Sequence, residues 1–221
     1  MNKSKSYKLF YLLSIILVPM LLLVAALLYK MDMNLYLRLT QEDNLLEWST
    51  FAFLLISGLL SLKIGTKLSP KSNPHFWFFI IFGVFCILFS LEEISWGQRI
   101  FNVESPEFFL KNSDQREINV HNVIQQKFQV KTKHIAGWTL FVYGVCLPLI
   151  LVNPKFRSWS EKIRLVVPPP ALSFSFFIAA LMMFDRPTGR EEEIGEFFFS
   201  LCFLQFIILE TFGEDRSPHA N

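Results

Sequence analysis

The sequence predicts an all-α protein, a polytopic membrane helix bundle of about six transmembrane helices with interfacial helices in its third connection. Three observations carry this. The 221 residues are 52% hydrophobic, include 25 Phe, and have a mean hydropathy of +0.38, more apolar side chain than one water-soluble core of this size needs. Six apolar runs come near the roughly twenty residues that a helix needs to cross about 30 Å of hydrocarbon. Pro and Gly punctuate the gaps between them, at Pro70, Pro74, Pro154, Pro168 to Pro170, Pro187 and Gly189. No internal repeat is visible, so residues 1–221 read as a single integral membrane domain.

The first run, 8–29, follows Lys3, Lys5 and Lys8 and superficially resembles a signal peptide. It reaches spanning length and further runs follow, so it reads as an uncleaved first helix. The second run, 45–62, is entered through Glu42, Asp43, Glu47 and Trp48. The third, 76–96, stays apolar from Phe76 to Leu91 and then meets two adjacent carboxylates, Glu92 and Glu93. The fourth covers 134–152, the fifth 165–184 closing on Asp185 and Arg186, and the sixth 194–212 behind Glu191, Glu192 and Glu193. Cys86, Cys146 and Cys202 sit singly in different apolar runs and read as small core residues, without disulfide or zinc spacing.

The short loops orient the bundle. With the N-terminus inside, the inner segments hold Lys3, Lys5, Lys8, Lys63, Lys67, Lys71, Lys155, Arg157, Lys162, Arg164 and Arg216 against only Glu161, Glu210, Glu214 and Asp215. The outer segments are then acidic, and both termini are cytoplasmic in a bacterial inner membrane. The long third connection is the exception, because Arg99, Lys111, Arg116, Lys127, Lys131 and Lys133 would lie outside.

That connection, 100–133, has helix signals of its own. Ser105-Pro106-Glu107 offers an N-cap, a first-turn proline and an acid, followed by Phe108, Phe109 and Leu110. Asp114 and Glu117 fit a second capping box, and Val120, Ile124 and Phe128 then recur at helical spacing. Glu117, His121 and Gln125 would form a polar stripe at i, i+4 and i+8. Two short helices in the headgroup region, apolar side down, are expected.

The candidate site lies where the third run ends. Sixteen residues from Phe76 rise about 24 Å, which places Glu92 and Glu93 at the outer interface. Carboxylates at that depth cost a few kcal/mol unless paired or solvated, so they face a cavity or a partner. On one continuous helix Glu92, Ser95 and Arg99 would share a face while Glu93 points away. Asp185 and Glu196 also meet this level, beside Glu47. The bland alternative is a set of polar helix ends with Trp96 in the aromatic belt and first-turn acids favoured by the helix dipole. That alternative accounts for Glu191 to Glu193 better than for Glu92, Glu93 and Glu196. Glu117 and His121 at i, i+4 suit a base with its orienting carboxylate or two ligands of a divalent metal, with Glu92 and Glu93 as further metal candidates. Glu210 sits at the far end of the last run and stands apart.

The string E-E-I-S-W-G-Q-R from Glu92, followed by E-x-N-x-H-N from Glu117 and preceded by E-D-x-x-x-E-W from Glu42, resembles a family of uncharacterised bacterial multi-pass membrane proteins. The resemblance implies a shared site at Glu47, Glu92, Glu93, Trp96, Gln98, Arg99, Glu117, Asn119, His121 and Asn122. A weaker likeness is to the CAAX-type intramembrane metalloproteases, whose two glutamates are followed three residues later by an arginine. Here Arg99 lies six residues after Glu93 and the in-membrane histidines are missing, which disfavours that mechanism.

Three functional readings follow. The first is a membrane-embedded enzyme or binding protein for a lipid-linked or headgroup substrate. Glu92 or Glu93 would be the acid/base or metal ligand, Arg99 would hold an anionic group, and Glu117 with His121 would complete the catalytic set. Glu47, Trp96, Gln98, Asn119, Asn122, Asp185 and Glu196 would bind substrate. The second is a proton- or cation-coupled transporter or channel element, for which only Pro19 and Pro148 supply interruptions within membrane runs. The third is a sensor or effector subunit, in stress or phage defence, with the polar cluster as an assembly interface. Membrane lipids are partners in all three, with a second copy or another membrane protein as further candidates. A net charge of only +2 without a basic face excludes nucleic acid.

Overall fold

The computed structural model describes residues 3–41, 44–68, 73, 75–113, 117–129, 131–184 and 188–214. The elements run α1 (Lys3–Met31), α2 (Met33–Leu39), α3 (Leu45–Lys67), α4 (Phe76–Glu93), α5 (Gln98–Phe101), α6 (Glu107–Asn112), α7 (Val120–Phe128), α8 (Thr132–Phe141), α9 (Leu147–Ile150), α10 (Pro154–Ile163), α11 (Ser173–Met182) and α12 (Glu191–Glu214). The described residues contain no strand, and the architecture is the all-α bundle the sequence predicts.

Five helical spans are long and apolar enough to cross a membrane: Lys5–Met31, Leu45–Lys67, Phe76–Glu93, Thr132–Ile150 and Glu191–Phe212. The fifth predicted run is a shorter apolar helix, Pro170–Met182, which rises only about 20 Å. Its first residues, Leu165 to Pro169, form no helix, because consecutive prolines lack the N–H groups a helix interior needs and hold the preceding residues out of the helical region.

α12 is the axis of the bundle. It is apolar on every side, and Phe198, Cys202, Phe206 and Ile207 are completely buried, as a helix surrounded by other helices requires. Phe203 stacks edge-on against Phe82 of α4 at 5.1 Å between centroids and meets Phe176 of α11 at 6.0 Å. Phe212 lies against Tyr7 and Phe10 of α1. In contrast, α1 leaves Leu9, Leu12, Leu13, Ile16, Met20 and Leu23 exposed along its length, the face that lipid would cover.

Between apolar helices in lipid there is little hydrophobic drive to associate, so close packing and polar contacts must do it. The α3–α4 pair shows both. A Cβ on Gly58 would lie 2.8 Å from the carbonyl oxygen of Gly83, and one on Gly83 would lie 3.0 Å from that of Gly58, so the backbones cross where neither carries a side chain. Ser61 Oγ donates to the Phe79 carbonyl across the same seam at 2.7 Å.

The span from Thr132 to Ile150 is not regular. It passes from α8 through a π-helical stretch, Val142–Cys146, into α9. Pro148 explains it: proline cannot donate to the carbonyl one turn back, and the wider turn absorbs the missing bond. Gly144 lies in this stretch, hard against the Phe176 ring of α11.

Candidate functional site

α4 stops at Glu93, short of the expected 76–96 span. Ser95, Trp96 and Gly97 all take left-handed backbone angles, with φ of 46°, 55° and 77°, and turn the chain sharply. Glu92, Ser95 and Arg99 therefore do not share one helical face, and α5 begins a new direction. Two non-glycine residues in this region cost about 1–3 kcal/mol each, a cost that surrounding contacts must meet.

Those contacts are the polar groups of the motif themselves, arranged as a knot. Trp96 Nε1 donates to Glu92 Oε1 at 2.6 Å, and Ser95 Oγ donates to Glu117 Oε2 at 2.5 Å. Glu92 Oε2 accepts the backbone N–H of Val120 at 2.8 Å, while Asn119 Nδ2 reaches the Glu92 carbonyl at 3.4 Å. Gln98 uses both ends of its amide, donating to Ser105 Oγ at 2.6 Å and accepting from the Ile118 N–H at 2.9 Å. Asn119, 5% exposed, caps α7 by accepting the Asn122 N–H, and Asn122 is 7% exposed. The knot lashes the 105–122 segment to the end of α4.

This corrects two expectations. α7 begins at Val120, so Glu117 lies before the helix and does not form an i, i+4 pair with His121 on it; its carboxylate is held by Ser95 instead. Glu92 and Glu93 also do not make a chelating pair, since both Glu92 oxygens accept hydrogen bonds from Trp96 and Val120. Among the described residues no group of three or more His, Cys, Asp or Glu is placed to hold a metal ion. Asp185, and the side chains of Arg99 and His121, lie outside the described residues.

Glu93, one residue on and about 100° around the helix, faces the other way. It lies within electrostatic reach of Glu193 of α12, Glu47 of α3 and its neighbour Glu92. Glu196 in turn feels Glu93, Glu193, Glu192 and Glu47. Glu47, Glu93, Glu193 and Glu196, all partly buried, thus converge from three helices at one end of the bundle. The sequence reading had Glu47, Glu93 and Glu196 and passed over Glu193, which the i, i+3 spacing from Glu196 puts on the same face. A cation stands at the rim: Lys133 at the start of α8 pairs with Glu192 Oε2 at 2.5 Å, with 19% and 32% of the two side chains exposed.

Glu191 belongs to the scaffold. It is 3% exposed and gathers the backbone N–H groups of Thr188, Gly189 and Arg190 together with the Tyr36 hydroxyl at 3.1 Å. The carboxylate satisfies the N–H groups of the turn that leads into α12 and, from the helix's first position, complements its dipole. Burial, reinforced by the Glu191 charge, pushes the Tyr36 phenol up to about 12.

Beyond the end of α4, α5 to α7 expose Phe101, Phe108, Leu110, Val120, Ile124 and Phe128, the apolar side expected of helices lying in headgroups. No family model, no curated protein and no solved structure matches the chain. The chemistry must be read from the residues. Carboxylates gathered at the rim of an apolar bundle repel one another and lose hydration, and a cationic group entering between them relieves both costs.

Proposed function

We propose that the chain is a multi-pass protein of a bacterial inner membrane, with both termini cytoplasmic, that binds or processes a lipid-linked or headgroup substrate at its extracytoplasmic face. The observation that carries this reading is the convergence of Glu47, Glu93, Glu193 and Glu196 from α3, α4 and α12 at one end of the bundle. Glu93 and Glu196 would contact a basic or hydroxyl-bearing head, with Glu93 the acid/base group if a reaction follows. Lys133 at the rim, and Arg99 as the motif suggests, would meet an anionic linker. Glu92, Glu117, Gln98 and Asn119 would act by holding the 105–122 segment, and Trp96, half-exposed, would anchor it at the interface. The resemblance to uncharacterised bacterial multi-pass proteins agrees with this placement.

The test is the lipid recovered with the protein from its native membrane, identified by mass spectrometry for the wild type and for Glu93→Gln and Glu196→Gln. A lipid class with an amino or polyhydroxy head, retained by the wild type and lost from both variants, is expected. Identical lipid profiles in all three overturn the reading.

A second reading, cation- or proton-coupled transport, draws on a different observation. Gln205 of α12 is 3% exposed with both amide atoms unpartnered, and the Thr132–Ile150 span carries the π-helical break. A buried amide and an irregular helix are features of transport pathways. Flux that depends on pH or cation in reconstituted vesicles separates it from the first.

A further inference from the structure

A cavity of about 560 Å³ opens at the end of the bundle opposite the carboxylate cluster. Its walls come from five places. The start of α4 gives His75 and Phe79, the end of α9 and its turn give Pro148, Leu151 and Val152, α10 gives Arg157 and Glu161, and the proline strap runs along one side. Glu210 of α12 forms the remaining wall. The volume lies within the range of small-molecule sites, and the lining is mostly apolar with a few charged groups, as such sites are.

The strap is held open by specific contacts. Pro168 and Pro169 stay outside the helix that Pro170 opens, and Tyr143 OH donates to the Val166 carbonyl at 3.3 Å, tying this non-helical backbone to the π-helical stretch. The cavity is therefore a product of two proline-caused irregularities meeting.

Its charges are unspent. Glu210 is partly buried and makes no hydrogen bond or ion pair among the described residues. A carboxylate in such a wall calls for a hydrogen-bonding or cationic partner. Arg157 meets Glu161 only through a single 3.3 Å contact, with side chains 72% and 66% exposed, and an exposed pair of this kind is given up at little cost. Burial and the charge of Arg164 hold His75 below its ordinary value, so it is neutral near pH 7 and lends no cation. One carboxyl group inside, one cation at the mouth and an apolar lining beside them match an amphiphile whose head carries both a hydrogen-bonding ammonium and a phosphate.

α10 agrees. It exposes Phe156, Trp159 and Ile163 at helical spacing beside Lys155, Arg157 and Lys162, the pattern of a helix lying on a lipid surface at the cavity mouth.

We propose that this cavity is a second binding site, for a zwitterionic aminophospholipid whose ammonium group sits on Glu210, whose phosphate sits on Arg157, and whose chain lies along Phe79 and the proline strap. It shares no residue with the carboxylate cluster and does not depend on the function proposed there.

The experiment is native mass spectrometry of the full chain in detergent, offered equimolar phosphatidylethanolamine and phosphatidylglycerol. The wild type retains phosphatidylethanolamine preferentially. Glu210→Gln, which keeps the side chain's shape, lowers that retention about tenfold, the effect of losing one charge-assisted hydrogen bond. Val152→Trp, which fills the cavity from a position that is already 65% exposed, lowers it comparably without touching Glu210. Equal retention of the two lipids by the wild type, or unchanged phosphatidylethanolamine retention in both variants, overturns the proposal.

Discussion

Glu92 Oε2 accepts the backbone N–H of Val120, 28 residues later in the chain, at 2.8 Å. With Trp96 on its other oxygen, this one carboxylate joins the end of α4, the left-handed turn after it and the start of α7. The first glutamate of the motif is thereby a fastening, and the second, Glu93, is the group that meets Glu47 and Glu193.

Glu92→Ala should therefore loosen the 105–122 segment before it affects the bundle. The expected cost is about 2 kcal/mol, from two hydrogen bonds to a charged acceptor near the surface. Hydrogen exchange of the Val120 amide should rise sharply while amides in the middle of α12 keep their protection. Glu92→Gln, which keeps one acceptor, should lie between.

Alkaline pH should find the α2–α12 contact. The Tyr36 phenol stands at about 12 in the fold, raised by burial above its ordinary value of 10. A group whose folded value is raised contributes stability that is complete below the unfolded value and disappears as pH climbs through the folded one. Stability should thus be flat in this respect up to about pH 10 and fall between about 10 and 12, followed by phenolate absorbance. Tyr36→Phe should remove that slope and cost about 1 kcal/mol at neutral pH through the lost bond to Glu191.

Gly144→Ala should test the π-helical stretch. The added methyl would overlap the Phe176 ring, and the backbones of two packed helices have no easy way to part. A loss of about 1–3 kcal/mol, the range for overpacking a core, is expected in thermal unfolding.

Much of the fold was legible because apolar length is a strong signal. The sequence placed the first helix at 8–29 and the last at 194–212, and the structure extends them to Lys3–Met31 and Glu191–Glu214. Glu191 to Glu193 belong to the last helix since a first turn tolerates acids. Gly97 after the third run is a readable stop, but the left-handed Ser95 and Trp96 are not. Their angles are imposed by partners 22 and 4 residues away, Glu117 and Glu92. The same tertiary contact drew Glu117 off the helix that the spacing with His121 suggested. The fifth run failed differently: Pro168 to Pro170 were read as a gap marker when they also shorten the helix that follows. Of the site, Glu47, Glu93 and Glu196 were named from separate segments. Glu193 was hidden behind the sound general rule that acids gather at helix starts.

The central claim is that carboxylates from different helices share one site, and a double-mutant cycle on Glu93 and Glu196 tests it most directly. Unfolding free energies of Glu93→Gln, Glu196→Gln and the double variant should show non-additivity of about 0.5–3 kcal/mol, as groups in mutual contact do. Each single change should be neutral or stabilising because it relieves repulsion, and the second should add little. Changes that simply add, within about 0.5 kcal/mol, would mean that the two carboxyl groups do not sense each other, and the shared site would be contradicted.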